Sequence, residues 1–246
     1  MTTIRLRLVG TGDAFGSGGR LQTCFLLETP DGKLLVDCGA SSLIGLKRAH
    51  VNPSELDLVL LSHLHGDHFG GLPFLVLDGQ FNRRLRPLVV AGPPGLQQRT
   101  EDAMEVLFPL SSKVQRGFQV SFVELQERTP APLRFVTATA FTVRHASGAP
   151  SFALRIECAG RVVAYSGDTE WTDSLLEVAQ GADLFICESY FFEKRIKYHL
   201  DYATLHRHLG RLGCRRILLT HMSEDMLGRA NELEVECARD GQILVL

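Results

Sequence analysis

A chain of 246 residues with a net charge of −2 is long enough for one large domain or two fused halves around a sizeable core. The charged fraction of 22% and the apolar fraction of 45% are ordinary for a globular protein, which argues against a disordered or fibrous chain. The near-neutral net charge gives no indication of a large basic surface for binding nucleic acid, but it is compatible with a local basic patch.

Cysteine usage and apolar runs bear on cellular location. The six cysteines are scattered and form no CxxC pair, which favours buried free thiols in a reducing cytosol over disulfides or a zinc–thiolate site. The first ten residues lack the apolar region of a signal peptide. No apolar run approaches the roughly 18 residues that would span a membrane. We therefore expect a cytoplasmic protein without membrane contact.

Hydrophobic periodicity predicts strands and helices along the whole chain. The predicted strands are 4–9, 23–28, 33–36, 88–91, 118–125, 133–143, 183–187, 214–220 and 243–246. The predicted helices are 41–48, 96–107, 171–180, 201–212 and a short one at 232–238. Strands interspersed with helices in two halves favour a helix–sheet–sheet–helix sandwich.

Three segments allow more than one interpretation. The glycine-rich stretch 10–19 has Phe15 where a nucleotide-binding GxGxxG pattern needs its third glycine, so it is interpreted as a loop near an active site or a tight connection. The basic stretch 81–86 is interpreted as a solvated loop, with contact to an anionic substrate as the alternative. The aromatic residues 190–192 are expected to pack in the core rather than to stack on bases.

One hairpin occurs twice. Residues 151–168 resemble residues 23–40 at a constant offset, with Gly160 matching Gly32 and Gly167 matching Gly39. The repeat suggests two similar halves, against the alternative that two short β-hairpins are alike by chance.

The densest chemical feature follows the apolar run 56–61. Four metal-ligand side chains fall within six residues: His63, His65, Asp67 and His68. In an extended segment three of them share one side, and we expect a bend through Gly66 to bring in the fourth. One metal ion would not need four ligands so close in sequence, whereas two adjacent ions would.

Three further candidates lie where predicted strands give way to loops, namely His145, Asp168 and His221. At the end of an earlier predicted strand, Asp37 could orient a metal-bound histidine or cap the helix that follows.

HisLeuHisGlyAspHis at 63–68 resembles the HxHxDH signature of the metallo-β-lactamase-fold hydrolases, and His145, the GlyAspThr with Asp168 and the ThrHis with His221 match its later motifs in order. The resemblance implies an α/β fold, an αββα sandwich of two similar halves. It implies a single domain over 1–246, with pseudo-repeat halves of about 1–125 and 126–246.

The same resemblance implies a site with two zinc ions. His63, His65 and His145 would hold one ion, Asp67, His68 and His221 the other, and Asp168 would bridge them. Manganese or iron could replace zinc. A hydroxide shared by the two ions would be the nucleophile, with Asp67 counted among the catalytic residues as well as the ligands.

Within the superfamily the chain is most similar to the ribonuclease Z and cyclic-phosphodiesterase branch, through GlyThrGlyAspAlaPheGlySerGlyGly, HisPheGlyGlyLeuPro and GluSerTyrPhe. In that branch a histidine at the position of His199 supports the departing oxygen or the phosphate charge. The resemblance therefore favours a phosphodiesterase on small or cyclic phosphodiesters, with His199 as transition-state stabiliser or proton donor and with Glu188 orienting a histidine.

Ribonuclease Z enzymes of the bacterial type carry a long tRNA-gripping arm between the third histidine and the bridging aspartate. Here only a hairpin separates His145 from Asp168, so RNA stays open as a substrate but is not favoured. Hydrolysis of a lactone, thioester or β-lactam also stays open, as does a non-catalytic role in metal binding. We also leave open whether the chain forms a homodimer.

Overall fold

The computed structural model describes residues 3–246 as two seven-stranded mixed sheets with helices outside them. The strands are β1 (Arg5–Gly10), β2 (Cys24–Thr29), β3 (Gly32–Val36), β4 (Leu58–Leu60), β5 (Leu88–Gly92), β6 (Val120–Glu124), β7 (Ala131–Leu133), β8 (Val136–Thr142), β9 (Phe152–Cys158), β10 (Arg161–Tyr165), β11 (Leu184–Glu188), β12 (Ile217–Thr220), β13 (Glu236–Cys237) and β14 (Ile243–Val245). The helices are α1 (Ser42–Arg48), α2 (Gly66–Phe69), α3 (Leu72–Phe81), α4 (Leu96–Leu107), α5 (Ser174–Ala179), α6 (Tyr202–His208) and α7 (Glu224–Gly228).

The two sheets have the same internal plan. The first runs β14-β1-β2-β3-β4-β5-β6 and the second β7-β8-β9-β10-β11-β12-β13. In each, an antiparallel outer part turns parallel at the fourth strand, β3 in one sheet and β10 in the other. The predicted α/β sandwich of two similar halves is therefore confirmed. The exact limits of the domain and of its halves stay a prediction.

The duplicated hairpin occupies equivalent places in the two sheets. β2 pairs with β3 across a turn at residues 30–31, and β9 pairs with β10 across a turn at residues 159–160. Each hairpin is followed by the first parallel pairing of its sheet, so the sequence repeat marks a structural repeat rather than a chance similarity.

The core follows from alternation along the strands. Phe25 and Leu27 of β2 face the space between the sheets, where they meet Leu154 of β9, whereas Leu26 packs under α1, α3 and α4. The outer face of the second sheet is covered by a third apolar cluster from α5, α6 and α7, which includes Leu205. The layer order is helix, sheet, sheet, helix.

The prediction of a helix at 232–238 is wrong. The chain there forms the short strand β13, which pairs in parallel with β12. Leu233, Val235 and Cys237 alternate with glutamates and pack on the second sheet, so the apolar period is two and typical of a strand.

Other differences lie at element boundaries. The helix predicted from Trp171 begins three residues later as α5, and β7 begins at Ala131, before the predicted strand 133–143. The helix predicted at 201–212 is divided into α6 and a 3-10 turn at Leu209–Arg211. Helices α2, α3 and α7 were not predicted.

The basic stretch 81–86 is only partly a solvated loop. Arg84 is buried and donates to the carbonyl oxygens of Pro53 and Pro87, both at 3.0 Å. Arg86 pairs with Asp57 at 3.1 Å. Because the guanidinium of Arg84 is occupied by backbone acceptors, its contact with an anionic substrate is excluded, and Arg84 instead stabilises the approach to β5.

Across residues 3–246, no helix combines the length and apolar character that crossing a bilayer requires. The six cysteines are free, and four of them, Cys24, Cys38, Cys158 and Cys187, are buried.

Candidate metal centre

The carboxyl ends of the parallel strands gather the candidate residues at one edge of the sandwich. Asp37 follows β3, Asp168 follows β10 and His221 follows β12, while Glu188 ends β11. Strands that run in parallel end at the same edge, so strand ends in both sheets supply side chains to one cleft.

The cluster 63–68 is built differently from the prediction. Gly66 has an ordinary helical backbone at the start of α2, so no bend that requires glycine occurs there. Instead, the extended His65 caps a four-residue helix, and this change from strand to helix turns Asp67 and His68 inward. All four side chains can face one point because side chains repeat every two residues in a strand but about every 3.6 residues in a helix.

Two other glycines are needed where this cluster packs against the loop after β3. A Cβ on Gly71 would lie 2.2 Å from the carbonyl oxygen of Gly39, and a Cβ on Gly39 would lie 2.2 Å from that of Asp67. The same backbones are joined by hydrogen bonds, including Gly71 N–H to Cys38 O at 2.8 Å. The two loops therefore approach too closely for side chains.

We expect Gly71→Ala to lower the free energy of unfolding of the metal-depleted protein by about 1–3 kcal/mol, because the added methyl group forces the loops apart. Gly66→Ala is the matched control, since nothing lies within 4 Å of its Cβ position. Urea unfolding of both variants checks the difference. Equal stabilities would contradict the close-approach argument.

The first candidate group is His63, His65 and His145, called here the histidine group. One ring nitrogen from each lies within 4.8 Å of the others, and His145 Nε2 is 3.0 Å from His65 Nδ1. Burial lowers the pKa of His63 well below its usual value and that of His145 to about 4. Both imidazoles are therefore neutral at pH 7, the form that binds metals.

The second group is Asp67, His68, Asp168 and His221, called here the mixed group, and all four are buried. His221 Nε2 lies 3.2 Å from Asp67 Oδ2 and 3.3 Å from Asp168 Oδ2, and His68 Nε2 lies at the same two distances from them. Asp168 Oδ2 is also 3.8 Å from His63 Nε2. Asp168 thus lies between the two groups, where a bridging carboxylate would have to be.

The donor set fits divalent metal ions such as zinc. His63 Nε2 and Asp168 Oδ1 are buried and have no hydrogen-bond partner among residues 3–246. A buried, unpaired polar atom costs about 1–3 kcal/mol. Two such atoms in a cluster of imidazoles and carboxylates are explained if each donates its lone pair to a metal ion.

Partners behind the cluster fix the orientation of its rings. His68 Nδ1 lies 2.7 Å from Asp37 Oδ2, and His145 Nδ1 lies 2.8 Å from the carbonyl oxygen of Tyr198. An acceptor at Nδ1 holds the proton there and leaves Nε2 free to face the cleft. Asp37 also accepts from the backbone N–H of Ser62 at 2.7 Å, and the N-cap residue of α1 is Ser41, not Asp37.

His199 lies beside both groups. Its Nδ1 is 3.1 Å from Glu188 Oε2 and 4.0 Å from Asp168 Oδ2. Burial alone would lower the pKa of His199, but the carboxylate of Glu188 outweighs it and raises that pKa to about 9. Glu188 is fully buried and also accepts from the N–H of Thr169. The pair places a protonated imidazole at the edge of the cleft.

Some groups that contact the candidate ligands were not predicted from the sequence. Ser62, whose Oγ lies 3.0 Å from His63 Nδ1, was not predicted, nor was the carbonyl of Tyr198. Asp37 and His221 have positive φ angles of 57° and 56°. Strained backbone of this kind costs about 1–3 kcal/mol per residue and clusters at functional sites, and it can be seen only in a structure.

The chain is similar to proteins of known sequence and structure over nearly its whole length. Ribonuclease Z of Agathobacter rectalis is 25% identical over 89% of this chain and 88% of its own. The metallo-β-lactamase fold protein YhfI of Bacillus subtilis is 23% identical, with a TM-score of 0.79 over 98% of this chain and 99% of its own. Human tRNase Z, short form, is 23% identical with a TM-score of 0.78 over 98% of each chain.

These similarities confirm the predicted membership of the metallo-β-lactamase-fold hydrolase superfamily and of its ribonuclease Z branch. The family described as Anti-Pycsar protein Apyc1 matches residues 4–243, so the chain belongs to that family.

Proposed function

We propose that the protein is a phosphodiesterase that uses two metal ions, zinc in the first instance, to hydrolyse small or cyclic phosphodiesters. The observation that carries the proposal is the position of His199, 4.0 Å from Asp168 and 3.1 Å from Glu188. A phosphodiester has a poor alkoxide leaving group, so its hydrolysis gains from a proton donor at the departing oxygen.

The histidine group would hold one ion, and the mixed group the other, with Asp168 between them. Two ions held there would lower the pKa of a bound water to near neutrality and offset the charge of the phosphoryl group. His199, whose Nδ1 is held by Glu188, would donate a proton from Nε2 to the departing oxygen. Asp37 and Tyr198 O keep His68 and His145 in the orientation that binds metal.

Three other functions compete with this one. A lactone, thioester or β-lactam hydrolase could use the same ligands, but its leaving group needs less help from a donor such as His199. The similarity to ribonuclease Z suggests cleavage of tRNA precursors as another function. The alignment with the A. rectalis enzyme extends over 272 positions, more than the 246 residues of this chain, so that relative has insertions that are absent here. A non-catalytic metal-binding protein has no need of a proton donor beside an open cleft.

We expect the zinc-replete protein to hydrolyse bis(4-nitrophenyl) phosphate and 2′,3′-cyclic nucleotides, to lose that activity in chelator and to regain it when zinc is returned. Manganese and iron are tested in the same way. A thioester, a lactone, a β-lactam and a tRNA precursor complete the panel. No phosphodiester turnover with two metals bound per chain would overturn the proposal.

A further inference from the structure

A cavity of about 370 Å³ lies on the outer face of the first sheet, between β1, the end of α1 and the turn before β14. No residue of the histidine group or of the mixed group lines it. A cavity of about 150 Å³ already holds a benzene ring, so this one has room for a phosphate group with a small organic substituent. The lining residues used in the argument are Arg7, Leu21, Arg48 and Asp240.

Arg7 of β1 faces the helical layer outside the first sheet. Directly opposite residues of neighbouring strands share a face of the sheet, and Arg7 is paired with Leu26 of β2, which packs under α1. Leu6 and Leu8, on either side of Arg7, belong instead to the core between the two sheets. The guanidinium of Arg7 therefore lies where an apolar side chain would be usual.

This guanidinium has no partner among residues 3–246. The Nε atom of Arg7 is buried and makes no hydrogen bond, and no carboxylate forms an ion pair with the side chain. Two residues earlier, Arg5 pairs with Glu28 at 3.9 Å, so the strand does provide an ion pair to its other arginine. A buried donor without an acceptor is destabilising, and a ligand with oxygen acceptors would relieve that cost.

Arg48, the last residue of α1, is a second arginine without a partner. It is exposed, and within the described part of the chain its side chain forms neither a hydrogen bond nor an ion pair. The carboxylate of Asp240 also lines the cavity, but it already accepts from the N–H and the hydroxyl of Thr11 at 2.9 and 2.8 Å and from the N–H of Leu21 at 2.7 Å. Neither arginine is therefore neutralised by it.

We propose that this cavity, named here the Arg7 site, binds phosphate, either as the free ion or as the phosphate group of a small phosphorylated molecule. A phosphate group has at least three terminal oxygens and can accept from two guanidinium groups at once, whereas a carboxylate has only two oxygens. The two unpaired positive charges favour a dianion over a neutral ligand. The site would exist whatever reaction the metal centre performs, because no candidate metal ligand lines it.

NMR of the arginine side chains tests the site in the metal-replete, ¹⁵N-labelled protein. We expect inorganic phosphate at millimolar concentration to shift the Nε–H resonances of Arg7 and Arg48, because these groups gain an acceptor. The Nε–H of Arg155 already donates to Glu157 at 3.1 Å and does not shift. Phosphate bound at the metal centre leaves this readout unchanged, since the reporting groups line another cavity.

The same titration with glycerol 3-phosphate distinguishes the two sources of phosphate. Tighter binding than that of inorganic phosphate indicates a phosphorylated molecule as the ligand, and weaker binding indicates the free ion. Both results support a phosphate site. The absence of any Arg7 shift with either compound would overturn it, and so would equal shifts with acetate at the same ionic strength, because they would indicate general charge screening.

Arg48→Gln raises the dissociation constant for inorganic phosphate, followed at the Arg7 resonance, about tenfold or more, because it removes one of the two charged donors. Arg99→Gln is the matched control and leaves the constant unchanged, since Arg99 is an exposed arginine of α4 that does not line the cavity. Both side chains are exposed, so neither replacement disturbs the core. An unchanged constant in the Arg48→Gln protein would contradict a phosphate shared by the two arginines.

Discussion

His199→Ala lowers phosphodiester turnover by about 10²–10⁴-fold, the usual contribution of a positioned general acid, while two metal ions per chain are retained. The reason is geometric: Nδ1 of His199 is held by Glu188, and its ring lies against the cleft without being needed to complete either the histidine group or the mixed group. Steady-state kinetics and metal analysis of the same sample check both parts.

The leaving group provides a readout that a merely structural role would not change. A 4-nitrophenolate departs readily without a proton, whereas an alkoxide does not, so the loss should be much larger for an alkyl ester of the phosphate. His206→Ala is the matched control, because this exposed histidine of α6 pairs with Glu234 and not with the cleft. An equal loss for both leaving groups, or loss of metal, would mean that the role of His199 is misassigned.

Glu188→Gln should keep the shape of the buried side chain while removing the charge that raises the pKa of His199 to about 9. Partners of this kind, one contact removed from the chemistry, typically contribute about 10–100-fold to activity. We expect a loss of that size with metal content unchanged. Loss of one metal ion would instead indicate that Glu188 is a ligand.

The second large effect is expected at Asp168. Asp168→Ala lowers bound metal from two ions per chain to one or none and lowers turnover by about 10³-fold or more, since several kcal/mol of charge stabilisation are lost. The carboxylate lies 3.3 Å from both His68 Nε2 and His221 Nε2 and 3.8 Å from His63 Nε2, so its replacement disturbs both groups at once.

Elemental analysis after dialysis against zinc checks this prediction. Asp173→Ala is the matched control, because that aspartate is exposed a few residues along the same segment and its side chain makes no capping bond to α5. Two tightly bound ions in the Asp168→Ala protein would exclude a bridging role.

The sequence predicted most of this centre because its chemistry is concentrated. His63, His65, Asp67 and His68 are eligible ligands within six residues, and His145, Asp168 and His221 each follow an apolar run that could be recognised as a strand. Parallel strands end at a common edge, so strand-end residues from both halves could be expected to meet.

The features that the sequence could not predict depend on contacts between segments that are far apart in the chain. The need for Gly39 and Gly71 arises from two loops that come within 2.2 Å of a hypothetical Cβ, and nothing local to either glycine encodes that contact. The buried role of Arg84 depends on carbonyl acceptors some thirty residues earlier in the chain. Segment 232–238 is different, because the alternation of Leu233, Val235 and Cys237 is present in the sequence and has the period of a strand.

The strand β14 has a consequence for how the molecule is made. Arg5 pairs with Val245, and Asp240 accepts hydrogen bonds from both the N–H and the hydroxyl of Thr11, whose carbonyl oxygen in turn accepts from the N–H of His221. During synthesis on the ribosome, β1 therefore lacks one of its two neighbouring strands until the residues near 240 have emerged. Such a long-range closure is slow, and the waiting edge is exposed to aggregation. Metal uptake would then be among the last events of folding, because the loop with Thr11, which supports His221, is held in place only after Asp240 binds it.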